Sequence, residues 1–463
     1  MSGTDHLAAT TLQRPSAFGL TLSVAQWAAM AGAVTGIAYA LSPLTVIVAL
    51  ATVPLVRWAG RGVTGVERQW LFTLLGVAIA FRVIAIAALF MTANPDAGTF
   101  AKFFGDEELY QLRGLRLYNI WMGIPISQES FAYAYDKTGF SSYMPVLTGL
   151  HVFVGQAPYG LHLFNSWLFL FGGVLMYRVV RRPYGGAAAL VALTLLLLLP
   201  SLFLWSISAL KESLYFAMTG LVLVAAYGAV RARRPAVRLC ELAAVLVGAA
   251  AIETLRPGGS QIMLAGIALG CAARVATLRR WTAAAAVAVA LLGALWIARN
   301  GLPYRVQAQL DQAARYHRGH VFTTGHAFKL LDQRFYSEYW GPLAVEPMKP
   351  DETARFLIRA TVAFVTVPLP TDVESRAELA FMPEQFVWYL LVLLLPVGLY
   401  AGFRRDALLT CVLGGYSAVS AGVVAINSGN VGTLARHRAL VIPFMIWISA
   451  LGLVSWLAAR RHS

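Results

Sequence analysis

Apolar residues in this chain come in blocks of about twenty, long enough to cross a hydrocarbon layer ~30 Å thick as a helix. Short polar stretches close each block. The pattern predicts helices over approximately 20–40, 42–57, 70–91, 160–178, 185–200, 212–230, 239–255, 260–277, 282–298, 386–403, 407–425 and 439–457. Ala38-Tyr39-Ala40 has the small-residue form of a signal-cleavage site. The run before it is too long for a cleaved signal and a second block follows at once, so an uncleaved first helix is expected.

The expected fold class is an all-α polytopic membrane protein with about 12 transmembrane helices. Arginine clusters mark alternate loops: Arg57, Arg61 and Arg68; Arg178, Arg181 and Arg182; Arg231, Arg233, Arg234 and Arg238. Arg274, Arg279 and Arg280 continue the series, then Arg404 and Arg405, then Arg460 and Arg461. Such short-loop bias places those loops and both termini on the cytoplasmic side. The alternation holds if the moderately apolar stretch 143–157 does not cross, and it is expected to lie in the outer interface. Two large external segments then remain, 92–159 and 299–385, on a single membrane domain covering 1–463.

Composition sharpens this picture. Of 463 residues, 58% are hydrophobic and 13% charged, against about half and about a quarter in soluble domains. The net charge of +15 would suggest nucleic acid in a soluble protein, but the excess sits in the arginine clusters, so no nucleic-acid partner is expected. Cys240, Cys271 and Cys411 lie in or beside apolar blocks, which argues against a disulfide framework or a zinc site. Arg82, in the middle of the third block, is costly there and is expected to sit in a structural ion pair. His317 and His320 have the i, i+3 spacing of two metal ligands, but no third ligand accompanies them or His326. No metal site is assigned.

The first external segment carries the most suggestive chemistry, in Phe103-Phe104-Gly105-Asp106-Glu107-Glu108-Leu109-Tyr110. A helix starting here puts Asp106, Tyr110 and Arg113 on one face, with Glu107 about a quarter-turn away. Acids in a first turn also suit the free N–H groups and dipole of any helix start, so the cluster has a purely structural reading too.

The Gly105-Asp106-Glu107-x-x-Tyr110 sequence, beyond a membrane helix, resembles the acidic loop of the GT-C superfamily of integral membrane glycosyltransferases. Tyr143-Met144-Pro145-Val146-Leu147, leading to Gly160-Leu161-His162-Leu163-Phe164-Asn165, is similar to the loop-to-helix segment that follows it in those enzymes. The likeness covers approximately 85–230 and lies nearest the dolichyl-phosphate-mannose type of mannosyltransferase. It implies a sugar taken from a polyprenyl-phosphate carrier and passed, with inversion, to the hydroxyl of a lipid, glycan or protein acceptor. By position Asp106 matches the family's base, with Glu107 as second carboxylate and Tyr110 beside them.

A leaving lipid phosphate needs cationic or N–H donors at the membrane surface. Lys211, Arg256 and Arg436-His437-Arg438 are the outer-side candidates, with Arg299 at the end of the ninth helix. Each has a plainer reading: Lys211 paired with Glu212, and Arg256 with Glu253 at i, i+3. Arg436 and Arg438 run against the positive-inside trend, which favours a ligand role. No resident cofactor is implied, with room left for a divalent cation. The alanine- and arginine-rich composition suggests a bacterial inner membrane and an extracytoplasmic site. Two other readings fit the layout. An O-antigen ligase or polysaccharide polymerase would depend on Arg and His residues at 299–385. A lipid-linked sugar transporter or flippase would place polar groups at midplane, where Arg82 stands nearly alone.

Overall fold

The computed structural model describes residues 24–92, 105–137, 139–155, 158–337, 346–373 and 375–461. Its first three helices are α1 (Val24–Leu41), α2 (Pro43–Ala59) and α3 (Gly65–Thr92). The described part of the segment 92–159, expected to be external, folds as α4 (Gly105–Trp121), α5 (Gln128–Ala134) and α6 (Tyr143–Val154). Next come α7 (Pro158–Tyr184), α8 (Gly186–Leu198), α9 (Pro200–Ile207), α10 (Glu212–Arg231), α11 (Pro235–Leu255), α12 (Gly259–Ala276) and α13 (Arg280–Asn300). The described part of the segment 299–385, also expected to be external, holds α14 (Tyr304–Val321), a 3₁₀ turn at Gln333–Tyr336 and α15 (Pro350–Thr366). The chain ends with α16 (Arg376–Asn427), α17 (Val431–Arg438) and α18 (Ile442–Arg460).

Every apolar block read from the sequence falls on a helix where it is described, residues 20–23 of the first lying outside the described residues, and no strand occurs among the described residues. Among the described residues, eight helices are long and apolar enough to cross a membrane, or nine if α8 and α9, bent by 61°, count as one broken span. The chain therefore has the make-up of a multi-pass membrane protein. The bend follows from Pro200, which opens α9 after extended Leu199 (ψ 126°). The long α16 breaks at Asp406 (φ −152°, ψ 91°). A Cβ on Gly402 would lie 2.5 Å from Thr410 Oγ1, whereas eight residues of straight helix span ~12 Å. The two halves of α16 thus double back on each other.

Small residues set the closest helix contacts. A Cβ on Gly398 would meet the Ile448 carbonyl oxygen at 2.0 Å, and one on Gly452 the Leu394 carbonyl at 2.3 Å, so α16 and α18 touch backbone to backbone. Trp447, at the centre of the buried stretch Ile442–Gly452, is fully enclosed. The 143–157 stretch expected at the interface forms α6, whose 12 residues reach only ~18 Å, short of a membrane core.

One expectation is corrected. Among the described residues Arg82 has no ion-pair partner: its guanidinium donates to Ser206 Oγ (2.9 Å), the Leu197 carbonyl (3.0 Å) and the Ala78 carbonyl (3.1 Å). Phe169 and Phe203 flank it at 5.5 and 5.1 Å. The helix break leaves the Leu197 carbonyl without its helical donor, and Arg82 supplies one. Because α4 is helical throughout, Arg113 shares a face with Asp106 and Tyr110 as expected, and its side chain pairs with Asp136 at 3.2 Å, over the Tyr133 ring at 4.7 Å.

Candidate functional site

The site is built on the turn that joins α9 to α10. Because the helix breaks there, backbone groups of Ser206–Leu210 need partners from elsewhere. Three polar side chains of α7, spaced i, i+3, i+4 on one face, provide them. His162 Nδ1 donates to the Ile207 carbonyl (2.6 Å), and Ser166 Oγ to the Ser206 carbonyl (3.0 Å). The Asn165 amide donates to the carbonyls of Ser208 (2.7 Å) and Leu210 (2.9 Å) and to the Tyr143 hydroxyl (2.7 Å). Glu107 completes the cradle by accepting from the Ala209 N–H at 2.9 Å.

Glu107 is 3% exposed, and its Oε1 also faces His162 Nε2 at 3.0 Å and Gln111 at 3.4 Å. The second carboxylate expected at the reacting centre is instead the anchor of the turn. Its neighbour Asp106 points about a quarter-turn away along α4 and is half exposed, which suits a group that must meet a substrate.

Beyond the turn, Lys211 and Glu212 enter a cluster of charges drawn from distant parts of the chain. Arg436, on α17, bridges Asp106 and Glu212: its Nη1 donates to Asp106 Oδ2, and its Nη2 to Glu212 Oε1 at 3.0 Å. The Trp205 ring lies 5.5 Å from the guanidinium. Burial works against the charge of Arg436, but the two carboxylates outweigh it and hold its pKa above the ordinary arginine value. Glu212 is 9% exposed, and its Oε2 has no hydrogen-bond partner among the described residues.

Lys211 sits with its ammonium 5.5 Å from the centre of the Tyr110 ring. Burial, then the charge of Arg256, lowers its pKa to about 8. Tyr110 packs edge-on against Tyr143 at 5.8 Å. Burial, then Glu212 and Asp106, raises its phenol to about 12, so it is a hydrogen-bond donor and not a base. His437 is pushed well below the ordinary histidine value by burial and by Arg256 and Arg436, so it is neutral at pH 7. Arg256 and His437 share a cavity of ≈360 Å³ with Tyr215, Tyr316, His320 and Asn427.

Of the site residues read from the sequence, Asp106, Tyr110, Lys211, Arg256, Arg436 and His437 thus gather in one place, with Glu107 beneath them. Arg438 does not join them. It is 1% exposed and faces the far side of α17, where it donates to Gln385 Oε1 (2.8 Å) and to the Val367 (2.6 Å) and Phe364 carbonyls at the end of α15. Its role here is to close that helix end. Neither local pairing materialises. Glu253 accepts from Gly258 and Ser260 at the start of α12 and leaves Arg256 to the cavity, and Glu212 takes Arg436 in place of Lys211.

The histidines of the 299–385 segment make structural contacts. His317 and His320 bond the carbonyls of Ser428 and Asn427 at 2.7 Å, and His326 meets Glu378 at 3.1 Å. These contacts pin the turn that opens α17 and so position Arg436. A Cβ at Gly429 would come within 2.2 Å of the His317 carbonyl oxygen, which makes glycine obligatory there. No group of three metal-ligating side chains occurs among the described residues. Sequence reasoning missed Glu212 as a site carboxylate, and His162, Asn165 and Ser166 as the cradle. Their signal was polarity within otherwise apolar helices.

The arrangement offers one accessible carboxylate, an arginine clamp, a half-dehydrated lysine, a second arginine and a neutral histidine. That set can bind an anion and take up a proton beside it. Set against protein-family models, curated proteins and solved structures, the chain finds no match in any of the three.

Proposed function

We propose that the chain is a glycosyltransferase of GT-C type, which moves a sugar from a polyprenyl-phosphate carrier to an acceptor hydroxyl outside the cytoplasm. One observation carries the reading: the accessible acid Asp106 and the cations Arg436, Lys211 and Arg256 converge on a broken membrane helix. In such a reaction the acceptor oxygen bonds to the anomeric carbon as the bond from that carbon to the phosphate oxygen breaks. The acceptor proton passes to Asp106, and the electron pair leaves with the lipid phosphate. General-base help of this kind is worth ~10²–10⁴ in rate.

The roles follow from placement. Arg256 and Lys211 meet the phosphate charge, which grows as the sugar departs. Arg436 orients Asp106 by donating to its Oδ2. Glu212 Oε2 has an acceptor position free for a sugar or acceptor hydroxyl. On this reading both termini lie in the cytoplasm and the site outside, as the arginine alternation favours, and the alanine- and arginine-rich composition favours a bacterial inner membrane. The carrier enters from the lipid, and the acceptor, lipid, glycan or protein, from the aqueous face.

The test is transfer of radiolabelled sugar from lipid phosphate to endogenous acceptors in membranes containing wild type, Asp106→Asn or Glu107→Gln at matched protein levels. Asp106→Asn is expected to abolish transfer while donor stays bound. Full transfer in Asp106→Asn would overturn the assignment and shift attention to the 299–385 segment.

A further inference from the structure

The end of the bundle away from this site carries a second feature. The 20 residues of α10 run from Glu212 at the site to Arg231, ~30 Å away. Two clefts of ≈630 and ≈600 Å³ meet there and share Arg231, Arg405 and Asp406 in their walls. Arg178 and Arg182 line the first, and Arg274 the second. Asp406 is the acid of this lining, and it is already occupied. Its Oδ2 takes Arg231 (2.9 Å) and the Tyr227 hydroxyl (2.7 Å), and its Oδ1 takes the Leu409 N–H (3.0 Å). The nearby Glu67 is consumed by Arg181 and Tyr177.

The arginines divide into two kinds. Arg178 donates to the Trp58 and Arg61 carbonyls (2.7 and 2.8 Å), and Arg405 to the Tyr184 carbonyl, so both close helix ends. Among the described residues, no hydrogen bond or ion pair engages the guanidinium of Arg182 or Arg274. Between them the walls are apolar: Leu175, Val179 and Val224 in one cleft, Val275, Leu278 and Leu408 in the other. A cationic mouth over apolar walls matches an amphiphile with an anionic head better than a soluble anion, which has no use for the walls.

We propose that these joined clefts seat an anionic phospholipid, its phosphate headgroup between Arg182 and Arg274 and its acyl chains along the apolar walls. The bound lipid would straddle α7, α10, α12 and the break in α16. The inference is independent of the reaction proposed above, because none of its residues belongs to that site.

The experiment titrates phosphatidylglycerol into the purified full-length protein in neutral detergent and reads the thermal midpoint and bound lipid by native mass spectrometry. Phosphatidylcholine and inorganic phosphate are the comparison probes. Arg182→Gln/Arg274→Gln is the test variant. Arg233→Gln/Arg234→Gln removes the same charge from exposed positions outside the clefts. Phosphatidylglycerol is expected to bind and stabilise the wild type and the outside variant alike. Affinity should fall roughly twenty- to thirtyfold in the test variant, from the usual worth of two basic residues near anionic lipid. Equal binding by the test variant, or an equal fall in the outside variant, would overturn the site. Saturation by inorganic phosphate at the same arginines, with no preference for lipid, would overturn the lipid as occupant.

Discussion

Arg436 offers a test in which stability and activity should part. Its guanidinium bridges a carboxylate that is almost enclosed, Glu212, and one that is half exposed, Asp106. Arg436→Gln removes the shared cation. Around Asp106 the loss is small, ~0–1 kcal/mol, because water replaces the partner. Around Glu212 an uncompensated buried charge remains, and breaking such a pair costs about 3–5 kcal/mol. Adding Glu212→Gln removes that charge, so the double variant should recover most of the lost stability while transfer stays abolished. Asp106→Asn should hold stability within ~1 kcal/mol of wild type and also lose transfer. Unfolding in SDS mixed micelles gives the four corners of the cycle, and membrane transfer assays give the activities. A double variant that loses the plain sum of the two single losses would show no coupling and refute the clamp.

Lys211, with a pKa lowered to about 8, should lose its charge as pH rises through that value, so apparent donor affinity should fall above pH 8 by up to one proton's slope. Lys211→Arg should remove that step, because arginine stays charged; a profile unchanged by the substitution would exclude Lys211 from phosphate binding. The same lysine has the reverse effect on stability. The unfolded chain keeps the proton up to about 10.4 while the folded chain releases it near 8, so this group makes stability rise with pH across that interval, measurable as a higher thermal midpoint at pH 10 than at pH 8 relative to Lys211→Arg. Glu107→Gln should lower stability by about 1–3 kcal/mol through the weakened charge-assisted bond from the Ala209 N–H, and transfer should fall only in proportion to folded protein. Arg438→Gln should cost about 3–5 kcal/mol by orphaning the Phe364 and Val367 carbonyls, while transfer per folded molecule stays near wild type.

What could be read from the sequence follows the reach of each physical rule. Apolar block length located the helices, because membrane thickness imposes it directly. Arg436 announced itself by running against the positive-inside trend expected from the arginine clusters. The pairing of Arg436 with Glu212 was not legible, since 224 residues separate them and only the packing of α10 against the end of the chain brings them together. The separation of Arg436 from Arg438 was legible in principle. Two residues on a helix lie ~200° apart, so once α17 is helical they cannot serve the same ligand. The same geometry parts Asp106 from Glu107. Arg82 was misread because an expected carboxylate partner was replaced by a carbonyl that exists only where a helix breaks, and residue types alone do not foretell that break.

The broken helix also explains why the site is where it is. An unbroken α8–α9 would satisfy its own carbonyls and would need no His162, Asn165, Ser166 or Glu107. Breaking it exposes backbone groups that hydrocarbon cannot solvate, and each must then be tied to a side chain from a neighbouring helix. Those ties fix the Ser208–Leu210 turn to α7 and α4, and with it the start of α10, where Lys211 and Glu212 stand. Charges at the membrane surface would otherwise drift on long side chains. Here their backbones are held by bonds too costly to break one at a time, so Arg436 and Asp106 meet Glu212 in a geometry set before any substrate arrives.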